Sequence, residues 1–213
     1  VTTINGGLVD ITVTGETGEG DGIDSNGWLV INGGTVKASA CGISGDAGID
    51  SDMGSTINGG LIVGAGNMYD PIEADSAQLF MMLEFTESTD DLLVVTDAQG
   101  QPVFAYDFPY DYMYIAFSTP DLVEGATYHV YLGGEIRGEQ QDGLYTSIEA
   151  YTPGRQLVHG AGVAEQRAMG GMQPPEGFAP GQGFGGGRGF GGEMPEGFDP
   201  GQGFGGEMPE GFD

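Results

Sequence analysis

The chain has 213 residues, enough for one or two small domains; 38% of them are hydrophobic and 43 are glycine. That much glycine disfavours helix interiors and points to a turn-rich β architecture. Thirty-two acids against five bases give a formal charge of −27, which repels nucleic acid and anionic membranes, suits hard multivalent cations, and in any case keeps a surface soluble.

Residues 1–66 carry a repeat. Ile4-Asn5-Gly6-Gly7 returns as Ile31-Asn32-Gly33-Gly34 and as Ile57-Asn58-Gly59-Gly60; Gly22-Ile23-Asp24-Ser25 returns as Gly48-Ile49-Asp50-Ser51. A period in the twenties, built from apolar strand residues and Gly/Asn/Asp turns, predicts strands that stack repeat upon repeat. Alignment superposes Ile4, Ile31 and Ile57, and likewise Val9, Val36 and Ile62, as two inward apolar stacks with alternate residues facing out. Asn5, Asn32 and Asn58 superpose as well, which predicts a side-chain amide ladder, although Asn-Gly favours turns by itself. Val1 opens inside a repeat, so the chain reads as a mature or trimmed piece with repeats upstream.

Residues 67–160 read as a second β module. Leu79 to Phe85 is apolar except for Glu84, Leu92–Thr96 leads through Asp97–Gln101 into Val103–Tyr106 as a hairpin, and Tyr112–Phe117 and Thr127–Leu132 alternate like half-buried strands. A small antiparallel sheet or sandwich that covers the last repeat is the expectation. Residues 161–213 shift to Gly, Phe, Pro, Gln, Met and acids, with a 14-residue unit that starts at Glu193 and again at Glu207. This composition predicts a flexible tail, its spaced Phe178, Phe184, Phe190, Phe198, Phe204 and Phe212 serving a linker or acting as stickers for self-association. Cys41 is the single cysteine, so neither an intrachain disulfide nor a cysteine metal site can form. No apolar run approaches the roughly 20 residues of a membrane helix.

The repeated turns are rich in carboxylates. Asp24 aligns with Asp50, Asn26 with Asp52, and Asp21 with Asp46 if one residue bulges at Ala47. Strands stack about 4.8 Å apart and Ca²⁺ takes oxygen ligands at about 2.3–2.6 Å, so an ion between repeats would reach both rows. Mg²⁺ suits this less, because it demands octahedral geometry and keeps its waters. Solvated Asx-turn aspartates are the plainer alternative. The candidate metal set is Asp21, Asp24, Asn26, Asp46, Asp50 and Asp52, and the candidate cofactor is Ca²⁺.

The stretch Gly20 to Val36, with its Gly-Asp-Gly-Ile-Asp-Ser-Asn-Gly and Ile-Asn-Gly-Gly-Thr-Val, resembles the repeat of a bacterial family of calcium-dependent carbohydrate-binding parallel β-helix proteins of clostridia and related Firmicutes. Phe117-Ser118-Thr119-Pro120-Asp121-Leu122, Tyr128–Gly134 and Tyr151-Thr152-Pro153-Gly154 resemble the module that follows the repeats in that family, and the Gly/Phe/Pro tail has counterparts there. The likeness covers most of residues 1–155. It implies a right-handed parallel β-helix followed by a small antiparallel β module, secretion or attachment to a bacterial cell surface, and binding of cellulose or polygalacturonate-type glycans. The chain departs from the pattern in having about two and a half repeats, a 44–54 turn shifted by one residue, and Gly54-Ser55-Thr56 where Leu29-Val30 is more apolar.

A polysaccharide lyase built on such a fold would need a strong base near the acidic groove. Lys37 is the one basic residue before Arg137, and its slot holds Asp10 and Val63 in the neighbouring repeats. Carboxylate pairs for glycoside hydrolysis are too easily found among so many acids to carry weight, and neither His129 nor His159 has metal-ligand spacing. The expectation is therefore a non-enzyme. For glycan contact the candidates are Trp28, which points outward if Leu29 and Ile31 point in, with Tyr106 and Tyr110. The expected partner is a polysaccharide, acidic or cellulosic, bound without catalysis and without nucleic acid or membrane insertion. The alternative is a structural surface protein that assembles into a homo-oligomer or filament through its exposed strand edge and its tail.

Overall fold

The computed structural model describes residues 1–15, 20–68 and 70–157, and the strand at 163–169. All regular structure among these residues is β. The repeat region contributes β1 (Thr2–Ile4), β2 (Leu8–Thr12), β3 (Ile23–Ser25), β4 (Trp28–Ile31), β5 (Thr35–Ser39), β6 (Ile49–Ser51), β7 (Gly54–Ile57) and β8 (Leu61–Gly66). Equivalent strands pair in parallel as β1-β4-β7, β2-β5-β8 and β3-β6. Their register is the one the repeat predicts, Ile4 beside Ile31 beside Ile57 and Val9 beside Val36 beside Ile62. Leu29, Ile31, Val36, Ile57 and Ile62 are buried in one apolar cluster between these sheets. Outside it the amide ladder forms: Asn32 Nδ2 donates to Asn5 Oδ1 and Asn58 Nδ2 to Asn32 Oδ1, each at 2.8 Å.

After β8 the period breaks. Residues 70–78 lie along the last repeat without forming a strand and satisfy its backbone largely through side chains. Ile57 N–H donates to Ser76 Oγ at 3.0 Å, and Gln78 brackets Gly60 by accepting from its N–H at 3.2 Å and donating to its carbonyl at 2.7 Å. Such pairing removes an exposed sheet edge.

The downstream strands are β9 (Phe80–Thr89), β10 (Leu93–Asp97), β11 (Pro102–Tyr106), β12 (Tyr112–Ser118), β13 (Tyr128–Arg137), β14 (Gln140–Gln141), β15 (Leu144–Tyr145), β16 (Ala150–Leu157) and β17 (Val163–Met169). The hairpin β10–β11 forms as expected, with Asp97 Oδ1 accepting from the N–H groups of Gln99 and Gln101 in its turn. β12 pairs antiparallel with β8, so the sheet of stacked strands runs on as β2-β5-β8-β12-β9-β17. A second, antiparallel sheet, β14-β15-β11-β10-β13-β16, contributes with it to the larger core, where Phe104 of β11 stacks on Phe117 of β12 at 4.1 Å between ring centroids.

At β8, β12 and the first half of β9 the mixed sheet is thus a wall buried on both sides. Phe80, Ala116 and Ile62 face the interior of the repeats, while Met81, Leu83, Ile115, Phe117 and Val63 face the second sheet. Two dry faces explain why Leu79–Phe85 reads as a nearly continuous apolar run and why β12 is less alternating than its sequence suggests. β17 falls within the segment expected as tail. It pairs with β9 through backbone hydrogen bonds, which an edge strand offers to any sequence. His159 and the Phe/Gly units beyond 170 lie outside the described residues.

Candidate functional site: an acidic edge beside an exposed tryptophan

The β3–β6 pair sets Ile23 against Ile49, Asp24 against Asp50 and Ser25 against Ser51. Alternation buries the isoleucines and serines and turns both aspartates outward. Two like charges thus meet at one strand spacing, the arrangement that destabilises a sheet face. Just before these strands, Ala47 N–H donates to Asp21 Oδ1 at 2.7 Å and Gly20 N–H donates to Asp46 Oδ2. Asp21 therefore stands opposite Ala47, with Asp46 one step away beside Gly20. The expected bulge at Ala47 is corrected to a one-residue stagger, because Gly22 and Ile23 already donate in step to the carbonyls of Ala47 and Gly48.

A further carboxylate joins from the irregular segment. Asp70 Oδ2 accepts from Ser51 N–H at 3.1 Å and from Ser51 Oγ at 3.2 Å. Asn67 and Asp70 repeat the three-residue spacing of Asp21 and Asp24, but Asp70 lies only 19 residues from its partner Ser51, so a 26-residue period does not reach it. Asn26 and Asp52 are solvent-exposed at the following turn.

Crowding shows in the protonation equilibria. Asp50 is pushed up to about 6, first by burial and then by the charges of Asp70, Asp21, Asp24 and Asp52. Asp21 is raised by burial, with Asp46 and Asp24 adding to it against the hydrogen bond from Ala47. Asp70 is also raised, by burial and by Glu73 and Asp21, against its bonds from Ser51. Among the described residues no three His, Cys, Asp or Glu side chains stand close enough to hold a metal ion without movement. The donor set, all hard carboxylate oxygen, nevertheless matches the chemistry of Ca²⁺.

Of the aromatic candidates, Trp28 is 42% exposed on β4, with Leu29 and Ile31 buried beneath it. Its in-register neighbour is Gly54, and Glu73 lies at the same place: both the Trp28 Cζ3 atom and the Glu73 carboxylate come within 3.0 Å of where a Gly54 Cβ would stand. Tyr106 is a correction. It is fully buried, its hydroxyl 3.3 Å from Ser39 Oγ and its ring packed on Phe108, so no sugar reaches it; β11 turns it into the core between the two large sheets. Tyr110 is half-buried over Gly42, in an open cleft that also includes Ile43 and Pro109. It lies on a different element from Trp28.

Lys37 is not a free base. It is buried, its Nζ 2.8 Å from Asp10 Oδ1 and donating to the Asp142 carbonyl at 2.8 Å. Asp10, Lys37 and Val63 occupy one row across the sheet, as the alignment predicts. Lys37→Met is expected to cost about 2 kcal/mol in urea unfolding. That is below the roughly 3–5 kcal/mol of a fully buried pair, because Asp10 keeps some contact with water; an unchanged midpoint would show that the pair contributes nothing. His129, on β13, lies 3.2 Å from Gln156 Nε2.

Fold and site together define an all-β protein whose parallel, in-register repeats carry an acidic edge and an outward tryptophan. Neither protein-family models nor curated proteins nor solved structures provide a match to the chain.

Proposed function

We propose that this is a non-catalytic polysaccharide-binding protein of a bacterial cell exterior, whose stacked repeats form a short right-handed parallel β-helix tied together by Ca²⁺. The observation that carries the reading is the outward, in-register pair Asp24–Asp50 with Asp21, Asp46 and Asp70 around it. Carboxylates gathered at this density need a counter-charge or a proton, and a divalent ion would supply the first. Asp21, Asp24, Asp46, Asp50 and Asp70 are the residues that would hold it. The exposed Trp28 on β4, the next strand along the chain from β3, supplies the kind of flat aromatic surface on which sugars stack. The engaged state of Lys37 supports binding without chemistry. The resemblance of Gly20–Val36 to calcium-dependent carbohydrate-binding repeats points the same way.

A pull-down on insoluble polysaccharides, neutral and uronate-containing, run with Ca²⁺ and then with excess EDTA, tests partner and ion together. Capture with Ca²⁺ and its loss in EDTA is the expected result. Capture that survives EDTA removes the ion from the mechanism, and no capture on any glycan removes the function.

A second reading is assembly. The outer edges of β1 and β2 carry no strand among the described residues, and Val1 and Leu8 are exposed there. A repeat from a second copy would continue both sheets in register. Light scattering at rising concentration, with and without residues 170–213 so that β17 is kept, tests this; a monodisperse monomer throughout ends it.

A further inference from the structure

We propose that Trp28 and Glu73 form a subsite for one neutral sugar unit, and that Glu73 is the residue that sets neutral sugars above uronates there. The inference rests on the polysaccharide-binding reading and adds the sugar class and the residue that selects it.

Gly54 makes the site. With no side chain in the slot beside Trp28, the indole and the Glu73 carboxylate both come to within 3.0 Å of the same point. Glu73 is held there by its own backbone, since its N–H donates to the Ser55 carbonyl at 2.7 Å. The outer face of the same three strands continues as Thr3, Val30 and Thr56, in one row across the sheet. These are small or β-branched side chains, so along this row a unit within a polymer can lie on the site as well as a chain end.

A pyranose ring presents an apolar C–H face to an indole and hydroxyls at its rim. A carboxylate at the edge of the indole accepts hydrogen bonds from such hydroxyls, and charge-assisted bonds of this kind are stronger than neutral ones. A uronate brings a carboxylate of its own. It would meet the Glu73 carboxylate in a chain of formal charge −27. Like charges brought together without a counter-ion are penalised, and this is how a binding site rejects a ligand of similar shape.

Trp28 is the one tryptophan of the chain, so its fluorescence reports this subsite alone. The full chain is titrated in EDTA with neutral hexasaccharides (cellohexaose, mannohexaose, xylohexaose) and with hexagalacturonate. At least one neutral sugar is expected to shift the emission saturably, while hexagalacturonate does not. Glu73→Gln is expected to weaken the neutral sugar roughly tenfold, the scale of one charge-assisted hydrogen bond, and to admit hexagalacturonate. Trp28→Phe, followed by calorimetry, keeps a ring and retains weakened binding, whereas Trp28→Ala loses it. A wild-type response to hexagalacturonate equal to that for neutral sugars, or a Glu73→Gln variant with unchanged selectivity, overturns the proposal. Emission that no sugar moves, on a chain that still captures polysaccharide in the pull-down, overturns this subsite and leaves the broader reading standing. Failure of the pull-down itself ends both.

Discussion

Gly48→Ala is expected to destabilise the stacked repeats strongly, while Gly45→Ala, three residues away, leaves their stability nearly unchanged. A Cβ at Gly48 would strike the amide nitrogen of Ala65, the carbonyl oxygen of Ala38 and the carbonyl carbon of Gly64, all backbone atoms of strands β5 and β8. None of these can rotate aside as a side chain would. Moving them breaks the parallel ladder of β5 and β8 and the buried cluster behind Ala38. Overpacking a close-packed interior costs typically 1–3 kcal/mol even where side chains can yield. Against rigid backbone we expect about 4 kcal/mol or more, which for a domain of this size lowers Tm by about 10 °C. Nothing lies within 4 Å of a Cβ at Gly45, so its replacement stays within about 0.5 kcal/mol. Thermal melts followed by circular dichroism compare the two. If Gly48→Ala melts with the wild type, the close approach of residues 38, 48 and 64 is refuted.

The second large effect is electrostatic. Asp50 titrates at about 6 in the folded chain against an ordinary 3.8, so between these values the folded state holds a proton that the unfolded state has released. Stability then falls as pH rises through this window, and the penalty is complete above about pH 6. Asp21 and Asp70, raised by the same crowding, add to it in the same direction. A two-unit shift corresponds to about 3 kcal/mol at face value. Asp50 is half-open to water, and screening reduces this to about 1 kcal/mol, or about 2–4 °C in Tm.

Asp50→Asn is therefore expected to melt higher than the wild type at pH 7.5 in EDTA, with the gain vanishing near pH 4. If the proposed ion binds there, saturating Ca²⁺ is expected to act on the same term from the other side. At 100 times its dissociation constant a ligand stabilises by about 2.7 kcal/mol, so the wild type gains about 5 °C or more at pH 7.5. This gain shrinks below pH 6 as protons compete for the carboxylates, and it is largely absent in Asp50→Asn. A calcium response that is equal in the two proteins, or that persists undiminished at pH 4.5, would place the ion elsewhere.

What could be read from the chain follows from the physics of repetition. A parallel pairing between equivalent strands preserves the order of residues, so the echo of Ile4 in Ile31 and Ile57, or of Asp24 in Asp50, is already a statement of register. The period-2 alternation of a strand then decides that Leu29 is buried and Trp28 is not. The amide ladder follows from the same in-register stacking. Where the echo shortens, the chain no longer states its own register. Asp70 and Glu73 enter the site through a segment that keeps its contacts while losing its spacing, and no periodic reading reaches them.

The amino-acid sequence by itself determined the stacked repeats, their register and the acidic turns, because each of these is local or strictly periodic. The tertiary structure alone decided that β12 extends the sheet from β8, that these two strands are buried on both faces, and that Tyr106 is core rather than platform. Those outcomes depend on which distant strands meet, a choice made by the summed burial of two faces that no single stretch of chain encodes.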